Sequence, residues 1–266
     1  RMIPAILCVA FIATCTNTES SQSQQITVEQ REAAIDSAMQ HLQANRSKEA
    51  IAITTTLIDR DPTSPQSQEV HALALIAEGW RYDNAGESQL AIEKRKEALG
   101  AYIAACQQSN TPGLLQLSTA QLAHMIGDLP TAISYYTLAH ENVINDARAS
   151  FFLAQIALIN SEWELAKRWI SESMQRNPNE PFSLLSLALV EAELGNTTEA
   201  VKLAQQGCQI LPNEPTLRFI QAKVLRLAGN PEQALEILLA LPESFQQSQM
   251  YQGEYTSVVA AIEGAS

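Results

Sequence analysis

The sequence predicts an all-α protein in which about six helix–turn–helix hairpins stack in a row, closed by a final capping helix. Three observations carry this expectation. Alanine recurs in two columns with a period of 34, at Ala120, Ala154, Ala188 and Ala222 and at Ala132, Ala166, Ala200 and Ala234. Between them runs a third column, Gly127, Ser161, Gly195 and Gly229, and the tetrapeptide Pro-Asn-Glu-Pro stands at both 178–181 and 212–215. The composition is rich in Ala, Leu, Gln and Glu, which favour helix. Alternating Val, Ile, Thr and Tyr between Asn-Gly or Asp-Gly turns, the mark of a sheet, is missing.

Packing gives each column a purpose. An alanine at mid-helix lets a second helix come close. The Gly or Ser between the alanines marks the turn, because Gly accepts a positive φ at a helix C-terminus. Proline stops the second helix, and Asn-Glu-Pro opens the next hairpin. One hairpin cannot bury its apolar face alone and must stack on its neighbours.

The elements follow in order. Residues 3–13, Ile-Pro-Ala-Ile-Leu-Cys-Val-Ala-Phe-Ile-Ala, form an apolar run of 11. That is too short to span a bilayer as a helix and suits the core of a signal peptide. We read 1–15 as a signal peptide, 16–26 as a disordered polar tether and 27–266 as the repeat array. The first hairpin, 31–64, holds Ala38 and Ala50, with a capping box expected from Thr27 and Gln30. From Ala50 to Ala98 is 48 residues, so the second hairpin, 65–112, carries 14 more than its neighbours. Shared equally, seven go to each helix, close to two turns at about 3.6 residues per turn. The buried faces then stay in phase and the turn moves to position 86, which is Gly. This hairpin should stand about 10 Å taller, at ~1.5 Å per residue; a looped-out insertion is the alternative. The remaining hairpins are 113–146, 147–180, 181–214 and 215–248. Tyr251, Tyr255, Val258, Val259 and Ile262 share one face of a capping helix over 249–263.

The segments 153–181, 185–215 and 222–242 resemble the tetratricopeptide repeat family, and the likeness covers about 31–248. That family's turn followed by Glu-Ala reads here as Gly195-Asn-Thr-Thr-Glu-Ala200, with Gly229-Asn-Pro-Glu-Gln-Ala234 beside it. Leu184 and Arg218 stand where the family has a large aromatic. The resemblance implies a right-handed superhelical solenoid whose first helices line a concave groove. One groove column then reads Ile35, Glu69, Leu117, Phe151, Leu185 and Phe219. A turn further on stand Gln121, Gln155, Leu189 and Lys223, followed by His124, Leu158, Ala192 and Arg226. Members that clamp carboxylates carry Lys and Asn in these columns; Phe and Leu here point instead to an apolar or amphipathic peptide. Alternatively these side chains pack between helices or lie under the chain's own tail.

Residues 3–16, an apolar core followed by Ile12, Ala13, Thr14 and Cys15, also resemble a bacterial lipoprotein signal. The resemblance implies acylation of Cys15 and a membrane-anchored protein of the bacterial periplasm or cell envelope. An ordinary cleaved signal, and hence a secreted protein, is the alternative.

A second expected surface is the long hairpin near its tip, with Trp80, Arg81 and Tyr82 before Gly86 and Lys94, Arg95 and Lys96 beyond it. Trp, Tyr and Arg suit an interface hot spot, or else the aromatics pack the long helices together.

The net charge of −12 disfavours a phosphate-backbone partner, so no nucleic acid is expected. Four histidines lie apart from each other and from the cysteines at distances that suit no metal site, and no nucleophile–base constellation or phosphate loop is visible. Cys106 and Cys208 fall three hairpins apart and are expected to be unpaired. The sequence thus points to a non-enzymatic scaffold or adaptor without cofactor or metal, binding a protein or peptide through its groove or its long hairpin. A carrier of a small molecule or cell-envelope fragment in the concave face is the alternative.

Overall fold

The computed structural model describes residues 26–143, 146–178 and 180–264. Cys15 and the apolar run before it lie outside the described residues. Fourteen helices and no strand occur among the described residues. Twelve of them pair into six hairpins: α1 (Val28–Gln43) with α2 (Ser47–Arg60), α3 (Pro65–Asn84) with α4 (Ser88–Gln108), α5 (Gly113–Met125) with α6 (Leu129–Asn142), α7 (Arg148–Ile159) with α8 (Trp163–Arg176), α9 (Pro181–Glu193) with α10 (Thr197–Ile210), and α11 (Pro215–Leu227) with α12 (Pro231–Leu239). A short α13 (Glu243–Gln246) leads to the last helix, α14 (Gln249–Gly264).

Both alanine columns lie in the core. Ala38, Ala72, Ala120, Ala154, Ala188 and Ala222 on the first helices are fully buried. Their counterparts Ala50, Ala98, Ala132, Ala166, Ala200 and Ala234 on the second helices are fully buried too. Each hairpin turns on one residue of positive φ: Asn45 (56°), Gly86 (77°), Gly127 (81°), Ser161 (57°), Gly195 (83°) and Gly229 (80°). At every turn the next amide reaches back five residues to the preceding helix, as Asn196 N–H does to the Glu191 carbonyl at 2.8 Å. This bond satisfies one of the carbonyls that a helix end leaves open.

Local signals place the helix starts. Thr27 and Gln30 form the reciprocal capping box at the start of α1. In the two Asn-Glu-Pro turns, Glu180 and Glu214 cap α9 and α11 through their side chains, and Pro181 and Pro215 occupy the first turn. There proline's missing N–H costs nothing, since that N–H has no intrahelical partner.

The second hairpin has helices of 20 and 21 residues, whereas α5 and α6 have 13 and 14. Its extra height repeats the small-residue contact one level up. Gly79 and Ala91, 12 residues apart like the regular columns, meet in the added turns. There a Cβ on Gly79 would lie 3.3 Å from the Ala91 carbonyl oxygen. Seven added residues per helix therefore keep the faces in phase, and no segment is looped out.

Beyond Pro242 the chain makes α13 before the final helix. This extra turn brings Phe245 to Phe219, ring centroids 5.6 Å apart. In α14, Tyr251 and Val258 are buried against the last hairpin, and the Tyr251 hydroxyl donates to the Leu238 carbonyl at 3.2 Å.

Candidate protein-binding surfaces

The expected groove column is mostly core. Leu117, Leu185 and Phe219 are buried, at 3%, 0% and 5% exposure, and offer no surface to a ligand. The cause is the closeness of the helices. Leu185 fills the space opposite Gly207 on α10, where any Cβ would collide with its Cδ1. Phe219 lies under Phe245. Phe151 remains half-buried, as do Leu189 and Lys223. Gln155 donates Nε2–H to Ser186 Oγ at 3.3 Å, bridging α7 to α9. Arg226 is held by the chain itself, its Nε 2.6 Å from Glu254 Oε1 on α14.

What stays open on the first helices is a different set. Leu114, Met125 and Ile159 are 63%, 55% and 74% exposed. Met125 and Ile159 are 34 apart, each two residues before its turn, so the same ruler could have singled them out. A recess of about 290 Å³ is lined by Gln121, Arg148, Phe151, Phe152, Asn177 and Glu180, among others. Phe152 is fixed by stacking on the buried Tyr136, centroids 5.2 Å apart. Phe151 meets Phe152 edge-on at 5.6 Å. Arg148 is drawn to Asp146, whose carboxyl it holds below the usual range.

The long hairpin places Trp80, Arg81 and Tyr82 on α3, below the turn at Gly86 rather than on it. Trp80 is 51% exposed, whereas Tyr82 is half-buried with the Arg81 guanidinium 4.4 Å above its ring. The Arg95 guanidinium lies 4.8 Å over Trp80 and is itself buried and paired with Asp83. Glu78, buried, accepts from Arg81 through Nε at 2.9 Å and Nη2 at 2.5 Å, and from Ser47 Oγ at 2.5 Å. The Arg81 guanidinium holds the Glu78 carboxyl below the usual glutamate range.

Among the described residues, no three His, Cys, Asp or Glu side chains gather so as to hold a metal ion. Cys106 is buried beside Thr119 and Cys208 is half-buried, both as free thiols. No helix among the described residues is long and apolar enough to cross a membrane.

No protein-family model matches the chain, and no curated protein matches it. Solved structures do. A tetratricopeptide repeat protein from Parabacteroides merdae superposes over 88% of this chain and 91% of its own, with a TM-score of 0.61 and 15% identity. PilW, a widely conserved type IV pilus biogenesis factor, aligns over 84% and 97% with a TM-score of 0.57 and 15% identity. YrrB, a tetratricopeptide repeat protein with an unusual peptide-binding site, aligns over 79% and 97% with a TM-score of 0.52 and 14% identity. At such identities the likeness establishes the fold, a tetratricopeptide-repeat solenoid.

Proposed function

We propose that this chain is a non-enzymatic scaffold that binds a protein or peptide on its concave side, held at an extracytoplasmic bacterial membrane by acylated Cys15. The observation that carries the binding role is the recess that Phe151 and Phe152 line together with Gln121, Arg148 and Asn177. A recess with two half-buried phenylalanines suits an apolar anchor of a peptide, with Gln121, Arg148 and Asn177 at hand for its polar groups. PilW, as a pilus biogenesis factor, and YrrB, with its peptide-binding site, lend support by analogy of fold alone. The anchor rests on the residues before Cys15 and on the signal resemblance.

A photo-crosslinking residue at position 121, in the lining of the recess, tests the binding role. It should trap a polypeptide, and Phe151→Ala should reduce the yield several-fold. Equal yields from both proteins would remove the recess from the account. Intact-mass analysis of the membrane fraction tests the anchor: acyl mass on a chain beginning at Cys15 is expected, and a soluble unmodified chain overturns it.

The carrier reading fits less well. Small-molecule pockets usually hold about 300–1,000 Å³, and this recess of about 290 Å³ falls just below that range. Native mass spectrometry decides between the two, since a carrier would retain a small ligand.

A further inference from the structure

The added turns of α3 rise past the neighbouring hairpin, whose turn ends at Arg46. Ala77, Trp80, Arg81 and Asn84, spaced as one helical face, stand above it as a wall. Leu42, Asn45 and Ser47 form the floor of the resulting notch, about 310 Å³ in volume. Such a step arises where a tall hairpin stands beside a short one.

The notch has the features of a recognition site. Trp80 is half-exposed, yet it is held in place by the buried Arg95 over one face of its ring. An anchored aromatic loses little side-chain freedom on contact. Arg81 uses Nε and Nη2 on Glu78, and its Nη1 makes no hydrogen bond among the described residues. Arg46, between the floor residues Asn45 and Ser47, and Lys48 are both exposed, and neither forms an ion pair among the described residues. The carboxylate beneath, Glu78, is already bridged by Arg81 and Ser47. Around this notch, then, stand the exposed cations Arg46 and Lys48 and the Glu78-paired Arg81, with Lys48 also acting on Glu78 and Glu87 on Arg81.

We propose that the notch is a docking site, separate from the concave recess, for an acidic polypeptide segment. The segment lays an apolar or aromatic side chain on Trp80 and turns flanking carboxylates toward Arg46, Lys48 and Arg81. Carboxylates pair strongly with guanidinium groups, and Trp and Arg are over-represented where binding energy concentrates. The Asn45 and Asn84 amides, each able to donate and accept, suit a peptide backbone. A bilayer surface, being flat, does not enter a notch between helices.

Selection from a phage-displayed library of random nonapeptides on the full chain tests this. Enriched sequences should carry Asp or Glu on both sides of an aromatic or Leu residue. The leading peptide, labelled with fluorescein, should lose about tenfold or more in affinity with Trp80→Ala and with the pair Arg46→Glu and Lys48→Glu. It should weaken as salt rises. Because the charge reversals fall on exposed side chains, retained helical circular dichroism will separate lost binding from lost folding. Phe151→Ala should leave this affinity unchanged, which keeps the outcome apart from that of the concave surface. Selected peptides without acidic bias, an affinity for the notch variants equal to that for the parent chain, or binding of anionic vesicles with no peptide enriched would each overturn the proposal.

Discussion

Arg226 and Glu254 lie 2.6 Å apart and tie the first helix of the sixth hairpin to the closing helix. Both side chains are largely shielded, at 21% and 8% exposure, so this pair is not a solvated surface contact of negligible value. Replacing Glu254 by Ala leaves a shielded guanidinium without its partner. We expect a loss of about 1–3 kcal/mol in urea unfolding. In a double-mutant cycle Arg226→Ala should add little to Glu254→Ala, and full additivity would show that the pair is not coupled.

Two of the mid-helix glycines, Gly207 and Gly100, should respond in opposite directions. A Cβ at Gly207 meets Leu185 Cδ1 and comes 3.2 Å from the Pro181 carbonyl oxygen, which is backbone and cannot turn aside. Gly207→Ala is expected to destabilise by about 1–3 kcal/mol. Gly100 on α4 has nothing within 4 Å of an added Cβ. Gly100→Ala should stabilise by about 0.4–1 kcal/mol, because it restricts the unfolded chain. Paired thermal melts will show whether the signs differ.

Ser161 breaks the glycine column, as Asn45 does at the first turn, and it does so at φ 57°. The left-handed region is costly for a residue with a Cβ. Ser161→Gly should therefore raise stability by about 0.5–1 kcal/mol, while Gly195→Ala at φ 83° should lower it by a similar amount. Chemical denaturation of the two variants checks both.

Glu78 links stability to pH. Its folded pKa lies below the ordinary value of 4.5, chiefly because Arg81 donates hydrogen bonds to it. A depressed carboxyl stabilises the fold above the unfolded pKa, and the benefit fades as pH falls through the folded one. Glu78→Gln should melt a few degrees lower at pH 7, and the gap to the parent should close below about pH 4.5. A gap that stays constant down to pH 3 would show that the ionised form is not what matters.

The repeat was legible because it rests on residues with little freedom to vary. Where two helices touch, only a small side chain fits, and both alanine columns lie in the core. The tall hairpin was legible for the same reason, since a surplus of 14 divides into two in-phase pieces and places Gly86 at a turn. The groove was harder to read. A fixed period tells which residues share a column, but not how tightly successive first helices close over them, and this closure buries Leu117 and Leu185. The covering of Phe219 comes from Phe245 on α13, a turn outside the repeat that no column announces. Arg226 likewise finds Glu254 in a helix with no place in the period.

In the main contacts of this protein, each helix packs against helices no more than three places away along the chain. Its contact order is accordingly low, and loop closures that span the molecule are not needed. Each hairpin can settle on whichever neighbour forms first, so folding can start at any repeat and spread along the row one hairpin at a time.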